Sequence, residues 1–160
     1  LRRRLHGRRR RGRVLVMNPY AFLSQLESDQ LHAAIRRAEQ NTSAEIRVLI
    51  VHEPAPDPVA EAHARFRALR MHKTKRRNAV LILVAPASNT FAIVGDVGIH
   101  ALCGDDFWRS VRDAMTPHLK ARHYTEALLL AIGRAGELLA QHFPPGDDDR
   151  NELPDAIVEE

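Results

Sequence analysis

The chain is short of cysteine, of aromatic residues and of long apolar runs, and each shortage narrows what it can be. A single cysteine, Cys103, excludes an internal disulfide and any zinc site built from several cysteines, and it fits a reducing compartment. No window offers the roughly 18 uninterrupted apolar residues of a membrane span. The only apolar run near the start, Val14-Leu-Val-Met17, is too short for a signal-peptide core. The chain therefore reads as soluble, not secreted, and cytoplasmic. There is no Gly-rich nucleotide loop and no G-x-S-x-G elbow. Aromatic residues make up 5% of the chain and none interleaves the N-terminal arginines, so that segment lacks a platform for stacking bases.

What is present begins with charge. The formal net charge is +4, but residues 1–13 hold eight of the 24 basic residues, all arginine. Without those eight, 16 basic residues face 20 acidic ones, so the body is mildly acidic and the basic character belongs to an arm. Residues 1–16 read as a disordered Arg-rich arm, or as a start-site artefact with Met17 the true beginning. Such an arm can bind polyanions through phosphate contacts without sequence preference; no specific nucleic-acid partner is implied. Residues 17–144 are long enough for one domain, and 145–160 form an acidic tail. A chain of this length buries about 70% of the surface that its unfolded form exposes.

Three apolar runs predict strands. Glu45-Ile-Arg-Val-Leu-Ile-Val51 and Asn78-Ala-Val-Leu-Ile-Leu-Val84 are separated by a helical segment, which predicts a parallel right-handed crossover. Pro86-Ala-Ser-Asn89 is short enough to join the second to Phe91-Ala-Ile-Val-Gly95 as an antiparallel hairpin. Connectivity alone then places the end of the third strand beside the starts of the first two. Thr42, Ser43, Glu45, Arg77 and Asn78 should meet Asp96 at that edge, the first five as cleft-lining or anion-binding residues.

Periodicity supplies the helices. Ser28-Asp29 offers an N-cap before Leu31, Ala34, Ile35 and Ala38. Pro58 can sit in the first turn of a helix whose apolar stripe is Val59, Ala62, Phe66 and Leu69. Asp105 or Asp106 can cap a helix carrying Phe107, Val111, Met115 and Leu119. A last helix runs from about Thr125 to His142, with Gly133 and Gly136 allowing close approach to the sheet. Pro144-Pro-Gly146 ends it.

Several chemistries fail on the residues themselves. Cys103 and Arg109 have the C-x5-R spacing of cysteine phosphatases, but Asp105 and Asp106 between them would repel an anion and raise the thiol pKa. His118 and His123 are five apart, which puts them on different helix faces, and the other histidines are scattered, so no zinc site is expected. Asp147, Asp149 and Asn151 imitate an EF-hand start, but Glu152 and Val158 stand where the turn glycine and the bidentate Glu belong. Glu45 and Arg47, two apart on one strand, suit a structural ion network with each other or with Arg77. Asp96 with the Asp105-Asp106 pair can supply oxygen ligands to Ca2+, or alternatively Mg2+. The same residues can instead be a helix cap and an Asx-turn beside Gly98, and both readings stand.

Thr42-Ser-Ala-Glu-Ile-Arg-Val48, Lys73-Thr-Lys-Arg-Arg-Asn-Ala-Val-Leu-Ile82, Phe91 to Ile99, Asp106-Phe-Trp108 and Asn151-Glu-Leu-Pro-Asp155 resemble the bacterial branch of the TPM domain family, in the family's order. The resemblance implies an α/β fold: a three-layer, Rossmann-like α/β/α sandwich around a small mixed β-sheet. It also implies a cleft that binds a divalent cation, with Asp96 and Asp106 on the acidic motif positions and Asp105 as neighbour. On that basis the chain is expected to be a metal-stabilised binding module with a protein partner. The alternative is a metal-dependent phosphatase acting on phosphate esters, since plant relatives are described as acid phosphatases. Ala44 replaces the usual glycine after the strand-entry serine.

Overall fold

The computed structural model describes residues 25–146 and 157–159. The arm at 1–16, its boundary at Met17, the acidic run at 147–151 and the motif at 151–155 lie outside the described residues. Strands β1 (Glu45–Ile50), β2 (Ala79–Ala85) and β3 (Thr90–Gly95) form where the apolar runs predict them. With β4 (Ile157–Glu159) they make a mixed sheet of order β3-β2-β1-β4. β1 runs parallel to β2, with Val48 opposite Ile82, and β2 runs antiparallel to β3, with Ile82 opposite Ile93. Every residue of β1 and β2 is buried. A strand covered on both faces has no polar side to alternate with, which is why both read as continuous apolar runs.

Among the described residues, four helices cover the sheet: α1 (Gln25–Glu39), α2 (Pro58–Ala68), α3 (Val97–Lys120) and α4 (Tyr124–His142). Ile46, Val48 and Ile50 of β1 join Val80, Ile82 and Val84 of β2 in one core with α1, α3 and α4. Leu49, Leu81, Leu83 and Val94 meet Ala62 and Phe66 of α2 in a second core. The fold is thus a three-layer α/β/α sandwich with three helices on one face and one on the other. Each fully buried aliphatic side chain in these cores contributes roughly 1.5–3 kcal/mol. No helix among the described residues is long and apolar enough to cross a membrane.

Several local expectations are corrected. Ser28-Asp29 does not cap α1, which starts at Gln25. Gln, Leu and Glu are good helix formers, and Thr125 Oγ1 donates to Glu27 Oε2 at 2.7 Å, tying that first turn to α4. Val59 lies 48% exposed, off the apolar stripe that Ala62 and Phe66 continue. α3 has two segments: one begins directly after Asp96, where no helix is expected, and the other follows Gly104, which breaks the helix at φ 70°, ψ −175°, so the segment carrying Phe107, Val111, Met115 and Leu119 does start at the Asp105-Asp106 pair. Gly136 approaches α1 and not the sheet, since a Cβ there would lie 2.8 Å from the Cβ of Ala38, whereas a Cβ at Gly133 would meet open space. The tail is also more than solvated chain, because Ile157 pairs with Val48 along the free edge of β1.

Candidate functional site

The edge where β1 and β2 begin and β3 ends is built in two parts, one sealed and one open. In the sealed part, Thr42 Oγ1 donates to the Phe143 carbonyl at 2.6 Å and accepts from the Ala44 N–H at 3.1 Å. The Asn78 side-chain amide donates to Ser43 Oγ at 3.3 Å, and its backbone N–H donates to Thr74 Oγ1 at 3.2 Å. These side chains are at most 6% exposed, and they satisfy loop backbone that would otherwise be buried unpaired. Thr42, Ser43 and Asn78 therefore hold the strand starts together, and they are not among the residues that line the cleft around Arg77. Glu45 and Arg47, each 5% exposed, are buried on β1 as well.

The open part centres on Arg77 and Asp96. Arg77 Nε donates to Asp96 Oδ2 at 2.6 Å and its Nη2 donates to Oδ1 at 2.8 Å, a bidentate fork. Asp96 Oδ1 also accepts the Val97 N–H at 2.8 Å, capping α3. The Arg77 side chain is 47% exposed and that of Asp96 only 5%, so the carboxylate is the anchor and the guanidinium the presented group. The hydrogen bond to Asp96 holds the Arg77 guanidinium pKa above its ordinary value. Arg77 takes φ 52°, in a left-handed region uncommon for residues other than glycine. Its carbonyl accepts the Gly98 N–H at 2.9 Å. A side chain at 98 is barred, because a Cβ would lie 2.4 Å from the Arg76 carbonyl oxygen. Arg77 pairs with Asp96 and not with Glu45.

Around this pair opens a cleft of about 420 Å³ lined by His63, Arg67, His72, Arg77, Asp96 and His100, with Phe66 on one wall. His63 and Arg67 are four apart on α2, hence on one helix face, and that spacing was the sequence signal for them. His100 lies 5.5 Å from the ring centre of Trp108, which packs edge-on against Phe107. Gly95 belongs to the same wall, and a Cβ there would lie 2.6 Å from the Trp108 ring. The Asp106-Phe-Trp108 motif thus backs the cleft wall through its tryptophan, which packs behind Gly95 and His100.

The carboxylates do not converge. Asp106 is exposed and accepts from Arg109 Nη1 at 2.9 Å, and Asp105 is exposed beside it. Both lie beyond the Gly104 kink from Asp96, and the three carboxylates are not a group whose ligand atoms lie within 4.8 Å of one another. Asp96 has both oxygens engaged by a guanidinium and an N–H. As placed, the three do not form the oxygen cage that Ca2+ or Mg2+ takes. Among the described residues, the only group of three potential metal-binding side chains is His118, His123 and Glu126. These are the histidines that the spacing argument set aside. Cys103 is half-buried and burial pushes its thiol pKa up, while Arg109 serves Asp106, so the C-x5-R spacing is inert.

A family model for the TPM domain matches residues 16–138. Three solved structures are similar. BA42 from the psychrophilic bacterium Bizionia argentinensis is 39% identical at a TM-score of 0.82, covering 91% of this chain and 98% of that one. The N-terminal domain of cg2496 from Corynebacterium glutamicum is 14% identical at 0.59, covering 86% and 81%. The N-terminal domain of a P. gingivalis protein is 17% identical at 0.60, covering 76% and 79%; this one and the cg2496 domain support the fold alone. No curated protein matches.

Proposed function

Because this chain belongs to the TPM domain family, we propose that its strand-edge cleft is a binding site for a phosphoryl group, carried on a phosphate ester or on a phosphorylated partner. One observation carries the reading: a half-exposed guanidinium held by a buried carboxylate at the mouth of a cleft that also presents Arg67 and three imidazoles. Asp96 takes Nε and Nη2, so the fork is rigid before a ligand arrives, and Nη1 has no protein partner among the described residues. Pre-organisation lowers the ordering cost of binding. With Asp96 neutralised by its pair, Arg67 leaves the cleft with positive charge for an anion.

Binding is favoured over hydrolysis because no serine, threonine or cysteine lines the cleft. Phosphatase activity would have to use His63, His72 or His100 as acid or base toward a water. The binding step as proposed needs neither Ca2+ nor Mg2+. The test is calorimetry with inorganic phosphate and with p-nitrophenyl phosphate, with and without Ca2+. A charge-assisted hydrogen bond contributes about 1.5–3 kcal/mol, so Arg77→Gln should weaken binding at least about tenfold. Asp106→Asn should leave it unchanged. Binding that ignores Arg77→Gln overturns the proposal, and p-nitrophenyl phosphate turnover lost in a His100→Ala variant would move the reading to an enzyme.

A further inference from the structure

We infer that His118, His123 and Glu126 form a binding site for a transition-metal cation of the Zn2+ class, at the end of the sheet opposite the cleft. A spacing of five puts two side chains on different faces only within one helix, and α3 ends between these two histidines. α3 stops at Lys120 and Arg122 takes φ 61°. The Arg122 N–H donates to the Leu119 carbonyl at 3.0 Å and the His123 N–H donates to the His118 carbonyl at 2.8 Å. That pair of bonds is a Schellman motif, which brings the second residue past the cap back against the third-last residue of the helix. Those two residues are His123 and His118. His123 is also the N-cap of α4, and Glu126 lies three residues further on, one turn along. Backbone hydrogen bonds on both sides of the turn therefore place all three side chains.

The distances suit a small tetrahedral ion. The ligand atoms of the three lie within 4.8 Å of one another, and His123 Nδ1 stands 3.4 Å from Glu126 Oε2. Two donors each about 2.1 Å from a tetrahedral Zn2+ are roughly 3.4 Å apart. One pair is thus already at chelating distance, and His118 needs only a side-chain adjustment. Two imidazoles and one carboxylate suit Zn2+, Ni2+ or Cu2+, whereas Ca2+ takes six to eight oxygens. The nearest cation on the turn, Arg122, has Nη1 on the Tyr124 hydroxyl at 3.3 Å, and that hydroxyl donates to Asn89 Oδ1 at 2.7 Å. His123 and Glu126 are more than half exposed and border a recess of about 300 Å³, so a fourth position is open to water. The bound ion would clamp α3 to α4 beside the β2–β3 turn. None of this depends on the cleft binding phosphate.

The experiment uses the full chain without a polyhistidine tag, titrated with Zn2+ by calorimetry and with Co2+ by visible absorbance, alongside NMR of the imidazoles. One site is expected, with Zn2+ shifting the His118 and His123 ring signals. His118→Ala and His123→Ala should each weaken binding at least tenfold and Glu126→Gln about threefold to tenfold, while His63→Ala and His100→Ala change nothing. Excess Ca2+ should not displace Co2+. Unaltered Zn2+ affinity in a His118→Ala/His123→Ala double variant overturns the inference. So does a map in the unmodified chain that places Zn2+ on His63, His72 or His100.

Discussion

The two ends of the sheet solve opposite problems with charged side chains. At the cleft end, Asp96 is buried, bound on both oxygens and committed to Arg77, a partner 19 residues away that reaches it only through the fold. At the turn end, His123 and Glu126 are exposed, three residues apart and brought together by the local backbone. The first arrangement presents donors that are already oriented, which suits an anion. The second presents lone pairs in water, which suits a cation. Where a group's partners come from therefore indicates which ligand it can still accept.

The largest effect that separates the ends should come from Asp96→Ala. It removes the cap of α3, about 0.5–2 kcal/mol, and hydrogen bonds to a charged group, about 1.5–3 kcal/mol. Some of that pairing is screened because Arg77 is half-exposed, so a loss of about 2–3 kcal/mol in urea unfolding is expected. Glu126→Ala at the other end should cost under about 0.5 kcal/mol without metal. Equal losses would erase the distinction between a tertiary anchor and a local one.

Next in size is Gly98→Ala. Its Cβ would press on the Arg76 and Arg77 carbonyls at 2.4 and 2.6 Å, so the first turn of α3 must move away from Arg77. A cost of about 1–3 kcal/mol is expected, with phosphate affinity falling alongside stability. If stability falls and phosphate affinity does not, the fork is not held by this contact. Gly104→Ala, where nothing lies within 4 Å but φ is 70° and ψ −175°, should cost about 1–3 kcal/mol through backbone strain alone and spare both ligands.

How far the sequence reading reached follows the same division. β1, β2 and β3, their directions and the shared edge were legible because doubly buried strands are continuous apolar runs and because crossover and hairpin lengths fix direction. Arg77, Asn78 and Asp96 were placed correctly at that edge, but their partners depend on side-chain reach that spacing does not encode. The start of α3 was hidden because Asp96 looks like a loop residue until Gly98 is seen against the Arg76 carbonyl. The histidine pair was hidden because Arg122, and not glycine, takes the left-handed position after α3, so the usual helix-stop signal is missing. β4 escaped because three residues after an acidic stretch carry almost no periodicity.

The smallest expected effects are controls on both ends. Asp106→Asn should shift stability by under about 0.5 kcal/mol, since its pair with Arg109 is exposed. Cys103, its thiol pKa raised by burial, should hold its proton above the pH at which a free thiol ionises. Alkylation at pH 8 should therefore run several-fold slower than for a free thiol. A fast-reacting Cys103 would mean that the segment around Gly104 opens readily.

The most direct measurement is a pair of NMR titrations on one labelled sample, first with inorganic phosphate and then, after its removal, with Zn2+. Phosphate should move the Arg77 Nε signal and the Val97 and Gly98 amides while leaving 118–126 still, and Zn2+ should do the reverse. Phosphate shifts confined to 118–126, or Zn2+ shifts centred on the Arg77 cleft, would contradict the assignment of the two ends.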